Sequence, residues 1–255
     1  MSSTIAILGP FGDGIDFIFQ QRESVSGGSM IGGPKQILDL TATHLLVSVV
    51  AIFAAILLFL PLGLYLGHHG KGEFLASSVS NVGRAVPTLA LLAFFVSFLG
   101  IGFLNVATVL FLLAIPPILT NTFVGVRQVD RDTVDAANGM GMTDLQVIRN
   151  VELPLALPTI FAGLRLSTVA VLATATIGPL ANVLTLGRPI IEPQTFGVGG
   201  QVGAAILVAT VTLLGDLIVR LIQNAATPKG LKLQREAERS RKSLTLSPIR
   251  RESTT

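Results

Sequence analysis

The sequence predicts an all-α protein that crosses a membrane about five times, and three observations carry that expectation. Half of its 255 residues are hydrophobic, only 13% are charged, and the mean hydropathy is +0.70. Soluble domains carry about 25% charged residues, so this chain has too little polar surface to sit in water. Uncharged runs long enough for a hydrocarbon core of roughly 30 Å recur along it. Between the third and fourth of these lies a polar island, residues 130–154, flanked by Asp and Arg. The chain has no cysteine, which excludes disulfides, thiolate metal sites and cysteine catalysis.

Residues 1–40 are rich in Gly, Ser and acidic side chains, with scattered apolar clusters such as residues 15–19. No basic segment precedes a continuous apolar run, so a cleavable signal peptide is not expected, nor is a sixth span; a short surface or re-entrant segment is. The first span is expected at residues 45–67, with Pro61 and Gly63 kinking its later half. The patch His68-His69-Gly70-Lys71-Gly72-Glu73 ends it. Adjacent histidines diverge on a helix and no third ligand is near, so the patch reads as an interfacial loop and not as a metal site.

A second span is expected at residues 86–103, opened by Arg84 and Pro87, and a third at 106–124. Pro116-Pro117 near the middle of the third removes helical hydrogen bonds. Such breaks persist at membrane depth where protein or a water-lined cavity satisfies the freed carbonyls. A packing kink and a pathway-lining role both remain open for them. A fourth span is expected at 157–180, broken at its far end by Gly178-Pro179, and a turn-rich connection at 187–200. The fifth, 202–225, holds Asp216 and Arg220 at i, i+4, which reads as a local structural pair.

Charge orients the chain. Residues 1–40 are net −2, 41–226 are neutral and 227–255 are net +5, making up the total of +3. The excess lies in one short tail beside a membrane segment, where anionic lipid headgroups explain it better than nucleic acid. With five crossings, Lys71, Arg84, Arg127, Arg131, Arg149 and the tail share one side. The positive-inside rule then puts the N-terminus outside, and the polar island and C-terminus in the cytoplasm.

The polar island reads as two short helices joined by a glycine turn. Asp132 is expected to cap the first, with Asp135 in its first turn, where negative charge suits a helix N-terminus. Gly139 and Gly141 are places to end it. Thr143 opens the second as a Thr-x-x-Gln box with Gln146, and Leu145 and Ile148 share a face. Small residues at Ala136, Ala137, Gly139 and Gly141 would let another backbone approach closely. Shape alone allows either a docking knob or an ordinary loop.

The residues resemble something more specific. Asp135-Ala136-Ala137, then Gly141, Thr143 and Val151-x-Leu153-Pro154, resembles the EAA loop of bacterial ABC-importer permeases, Glu-Ala-Ala-x3-Gly-x9-Ile-x-Leu-Pro. Asp135 replaces the usual Glu and Val151 the usual Ile. Other stretches are similar to the osmoprotectant branch of that family: Pro61-Leu62-Gly63, Arg84-Ala85-Val86-Pro87-Thr88-Leu89-Ala90, Ile115-Pro116-Pro117-Ile118-Leu119-x-Asn121-Thr122, Gly139-Met140-Gly141-Met142-Thr143 and Ala173-Thr174-Ala175-Thr176. The similarity covers roughly residues 41–226. It departs at Leu186-Gly187-Arg188-Pro189, where relatives carry a glycine-rich run.

The resemblance implies a type I, MetI-like transmembrane domain at 41–226, an extracytoplasmic segment at 1–40 and a basic cytoplasmic tail at 227–255. It implies a permease for glycine betaine, carnitine or choline in a bacterial inner membrane, partnered by a cytoplasmic ATPase dimer, a second permease chain and an external substrate-binding protein. The coupling residues implied are Asp135, Ala136, Ala137, Gly141, Thr143, Val151, Leu153 and Pro154. The candidate pathway residues are Pro87, Pro116, Pro117, Asn121, Thr174 and Thr176. No cofactor is expected in this chain, ATP and Mg belonging to the ATPase subunits. Consistent with that, the sequence has no Gly-x4-Gly-Lys-Ser/Thr phosphate loop, no His-Glu-x2-His and no Gly-x-Ser-x-Gly elbow. Zero Trp and one Tyr make a tight aromatic cage for a quaternary ammonium group a poor expectation here. The rivals are a permease for methionine or another amino acid, an ATP-independent secondary transporter, and a membrane enzyme, which the missing catalytic constellations argue against.

Overall fold

The computed structural model describes residues 2–85 and 87–227, excepting the side chains of 2–8, 75, 82, 84 and 85. The expectations placed on Val86, on the Arg84 side chain and on the tail beyond Thr227 therefore lie outside the described residues.

Among the described residues four helices are long and apolar enough to cross a membrane: Gly33–His69 (α2), Phe103–Arg127 (α5), the stretch Asp144–Ala181, and Pro193–Ala226 (α10). The chain opens with α1 (Ser2–Phe19), which is not among them, and a small antiparallel hairpin of β1 (Gln21–Glu23) and β2 (Met30–Gly32). Residues 1–40 are thus more built than a surface segment. Glycines let α1 lie close against α10. A Cβ on Gly203 would stand 2.6 Å from the Gly14 carbonyl oxygen, and Phe17 meets Phe196 edge-on at 6.0 Å between ring centroids. Small residues allowing close backbone approach are how helices pair in lipid, where burial of apolar surface supplies little.

Helix α2 starts twelve residues before the expected span and runs on through Pro61 and across the boundary expected at 40/41. Hydropathy marks the depth of the bilayer, whereas helical hydrogen bonds continue past it, so the span and the helix need not coincide. Pro34 stands in its first turn, where a missing N–H costs nothing, and Gly70 closes it in the left-handed conformation at φ 64°.

The span expected at 86–103 is not one membrane-length helix. The chain there forms two helices, α3 (Glu73–Ala85) and the twelve-residue α4 (Thr88–Leu99), separated at an extended Pro87 with φ −68° and ψ 122°. Alone, α4 reaches only about 18 Å. Together the two run antiparallel along α5: Thr120 Oγ1 donates to the Ala76 carbonyl, Gly83 lies against Pro116, and Asn105 Nδ2 donates to the Leu92 carbonyl at 3.3 Å.

Helix α5 continues through Pro116 and Pro117 and packs between α2 and the helix that follows the polar island. The island folds as α6 (Arg131–Gly139) and α7 (Asp144–Val147), then a π-helical turn (Ile148–Glu152), then α8 (Leu153–Thr174) and a 3-10 turn (Ala175–Ala181). The connection expected to be turn-rich at 187–200 instead holds a short α9 (Arg188–Ile191) and the start of α10, each with proline in its first turn. Gly197, at φ 64°, marks the kink inside α10. The core is a cluster along α2, α5 and α8 that includes Val47, Val109, Leu110, Ile118 and Val171, all nearly inaccessible. The outer faces of α2 and α10 remain apolar and uncovered.

Candidate functional site

The polar island stands on a second buried cluster, in which Val126 of α5 and Val129 just after it meet Val134 and Ala137 of α6, Val147 of α7, and Ala156 and Ile160 of α8. The cap of α6 is Asp130, not Asp132: its side chain accepts from the Asp132 amide at 3.0 Å. Asp132 is the acidic residue of the first turn, which leaves Asp135 exposed one turn further on. The helix ends at Gly139, and Gly141 takes φ +81°, the left-handed turn expected of it. Thr143 opens α7 as expected, its amide donating to Gln146 Oε1 at 2.8 Å.

One expectation about the faces is corrected. Ala137 is 2% exposed and belongs to the island's own core, so it offers no surface to an approaching backbone, while Ala136 does. On α7, Leu145 is 73% exposed and Val147 takes the buried place. Met140 is likewise 72% exposed. Neither was singled out as a docking residue, although an exposed large apolar side chain beside a glycine turn is the mark to look for. Val151, Leu153 and Pro154 are half-buried where the island joins α8.

His68 was read as part of an interfacial loop, and the structure gives it a partner. Its Nδ1 meets Glu152 Oε2 at 2.8 Å, and its Nε2 lies 3.9 Å from Asp144 Oδ1. Glu152 is fully buried and its Oε1 has no hydrogen-bond partner. Among the described residues no group of three or more potential ligands could hold a metal ion.

Asp216 also has a different principal partner from the one expected. Arg165 of α8 grips it with two bonds, Nε to Oδ1 at 2.7 Å and Nη2 to Oδ2 at 3.0 Å, while Arg220 stays 3.8 Å away. Arg165 lies 51 positions from Asp216, beyond any local spacing rule. A lone arginine inside an apolar span requires an intramembrane partner, and that was the available signal.

The six candidate pathway residues do not converge. Pro116 lines an apolar cavity of about 490 Å³ with Phe59, Ser78, Gly83, Thr88 and Leu91, beside the Pro87 break. Pro117 and Asn121 face α8 instead, where a Cβ on Gly163 would stand 2.5 Å from the Pro117 carbonyl oxygen and 2.6 Å from Asn121 Cβ. Thr174 ends α8, and Thr176 turns its hydroxyl back to the Ala173 carbonyl in the 3-10 turn.

The geometry is that of a membrane-length helical bundle carrying a capped two-helix loop raised on its own core. Residues 59–229 match the family described as binding-protein-dependent transport system inner membrane component, and the chain belongs to that family. It is a family of transport permeases, not of enzymes. The chain is 32% identical over 207 residues to the glycine betaine/carnitine/choline transport system permease protein OpuCB of Bacillus subtilis, covering 79% of this chain and 93% of that one. It is 39% identical over 203 residues to the carnitine transport permease protein OpuCB of Listeria monocytogenes, covering 77% and 90%. Its fold matches the inward-facing MetNI methionine ABC transporter with a TM-score of 0.67 at 20% identity, over 76% of this chain and 97% of that chain.

Proposed function

We propose that this chain forms half of the membrane pathway of an ATP-driven importer of osmoprotectants such as glycine betaine, carnitine or choline. The observation that carries the coupling is the island itself. Met140 and Leu145 stand out from a surface whose base is buried and whose two helices are each tied at their N-termini. Such a knob fits a groove on a separate, cytoplasmic ATPase dimer, which supplies ATP and Mg, and Asp135, Ala136, Gly141 and Thr143 lie on or beside it. Exposed apolar side chains of this size otherwise cost solubility, so a covering partner explains them.

The substrate class rests on the relatives, whose names give glycine betaine, carnitine and choline and of which this chain spans 90% or more in both cases described. The break at Pro87 places the start of α4, which has no side-chain cap, beside the cavity, where irregular backbone in a membrane is sustained. This cavity is the proposed stretch of pathway, completed by a second permease chain. An external binding protein delivers substrate to the far end, and the basic side chains near the island hold it in the cytoplasm.

The test is uptake in cells that express this chain with its ATPase and binding protein. Glycine betaine, carnitine or choline should compete for uptake, methionine should not, and dissipating the ion gradient at constant ATP should leave uptake intact. Competition by methionine alone would favour an amino-acid permease, and loss with the gradient a secondary transporter. Leu145→Asp with Met140→Asp should cut uptake at least tenfold while the protein still reaches the membrane; unchanged uptake would remove the knob from the mechanism.

A further inference from the structure

We infer that His68 is a positioning residue for transport, fastening the second coupling helix to the cytoplasmic end of α2 so that the two move as one body. The inference rests on the coupling role proposed above and adds a route for the motion. A single imidazole reaches both ends of the short helical unit. Its Nδ1 bonds Glu152 at the close of the π turn, and its Nε2 faces Asp144 at the first residue of α7.

The two contacts are unequal. Asp144 is exposed on 75% of its side chain, and water can replace His68 there. Glu152 is 0% exposed with one oxygen already lacking a partner, so losing His68 would leave a buried carboxyl group with no side-chain partner at all. Removing His68 is therefore costly, because it strips a buried carboxyl group of its one remaining side-chain partner.

The attachment falls where it can transmit force. The π turn closes with the Leu153 amide bonded to the Ile148 carbonyl, one residue wider than an α turn, and Pro154 follows it. A register change of that kind is a soft point between α7 and α8. His68 spans this turn, its Nε2 facing Asp144 before it and its Nδ1 bonding Glu152 at its end, so bending of the island there is felt at α2. On the other side, α2 is firmly seated on α5 in the two turns before His68. A Cβ on Gly63 would meet Thr122 Cβ at 2.8 Å, and one on Gly67 would meet Val126 Cβ at 2.7 Å. Glycines four apart bring the two helices into direct contact. A pull on α7 thus passes through His68 to α2 and α5, whose middle stretches line the cavity with Phe59 and Pro116.

The experiment uses the full transporter, with ATPase and binding protein, reconstituted in vesicles, and reads glycine betaine carried per ATP hydrolysed. His68→Ala should lower that ratio at least fivefold in assembled complexes that still hydrolyse ATP, and His68→Gln, which keeps a donor, should recover at least half of it. An unchanged ratio in His68→Ala would overturn the inference. The chain has no cysteine of its own, so His68→Cys with Glu152→Cys can be joined by a short cleavable thiol reagent without side reactions. The joined protein should transport as the unjoined one does after cleavage. A block relieved by cleavage would show that the two sites must separate, and would overturn the inference even if His68→Ala did not assemble. Wild-type complex that shows no ATP-dependent uptake of glycine betaine would instead defeat the underlying functional reading.

Discussion

Two ionisable pairs join helices distant in sequence, and they are built in opposite ways. Arg165 and Asp216 tie α8 to α10 within their apolar stretches, by two short bonds between side chains 32% and 21% exposed. His68 and Glu152 tie α2 to the island by one bond, with the carboxylate sealed at 0% exposure and half unsatisfied. The first is geometrically complete: a planar fork meets a carboxylate on both its oxygens, the match that guanidinium makes best. The second is incomplete, and an incomplete buried pair loses more when its one partner goes. The difference separates a static clamp between outer helices from a link whose strength depends on a single contact.

Reversing charge in the clamp should produce the largest effect. Arg165→Glu sets two carboxylates facing each other where water is scarce, and like charges at such range are strongly unfavourable. Protein recovered in the membrane fraction, measured by quantitative immunoblot, should fall more than tenfold. The exchange Arg165→Asp with Asp216→Arg should restore most of it, less a share for the new proximity of Arg220. Failure of the exchange to restore anything would show that shape, not charge, matters at this crossing.

The next effect belongs to the link. His68→Leu leaves Glu152 buried without a partner, at a cost of about 3 kcal/mol or more for a broken buried pair. That corresponds to a drop of about 6–12 °C in the melting temperature in detergent for a domain of this size. Glu152→Gln keeps an acceptor for His68 and should lose less than half as much. Equal losses in the two variants would mean that the pair is held by packing and not by its hydrogen bond.

These two pairs also show what could be read from the sequence. The all-α membrane architecture, the glycine turn at Gly141 and the Thr143–Gln146 cap were legible because each depends on local composition or on spacing within one turn. Family membership was legible because Asp135-Ala136-Ala137, Gly141 and Val151-x-Leu153-Pro154 keep their spacing. The partners of Asp216 and His68 were not. The i, i+4 rule drew Asp216 to Arg220 and said nothing of Arg165, which lies 51 positions away. His68 and Glu152 lie 84 positions apart, and adjacency to His69 concealed a contact that only the return of α8 creates. The pairing of α3 with α4 along α5 escaped for a related reason. Hydropathy sees the apolar run but not the amphipathic helix, Glu73–Ala85, that completes it against α5.

A smaller effect sharpens the account of the clamp. Asp216→Asn retains a carbonyl acceptor for one Arg165 bond and gives up the charge. Polar contacts between helices in a bilayer contribute about 0.6 kcal/mol on average, with about 1.7 at most. Melting should therefore fall by about 1–7 °C, less than for His68→Leu despite the loss of a formal ion pair. A larger fall than His68→Leu produces would reverse the ranking of clamp and link.

Arg220→Gln should do least, and it separates the two explanations of Asp216 that sequence and structure offer. If the pair within α10 were the main one, removing Arg220 would strip Asp216 of its chief partner. In the structure Arg220 is 55% exposed and 3.8 Å from Asp216 Oδ2, beyond hydrogen-bond range, while both carboxylate oxygens are already taken by Arg165. An i, i+4 pair of this kind contributes about 0.3–0.5 kcal/mol, and the long arginine stem can carry its charge toward the membrane surface whether or not Asp216 is there. The melting temperature should move by less than about 2 °C. Loss of Arg165 by Arg165→Leu should cost at least three times more in the same assay, because Asp216 would then keep only the distant charge of Arg220. A reversed order, with Arg220 the costlier loss, would return Asp216 to its own helix and leave α8 and α10 held together by apolar packing alone.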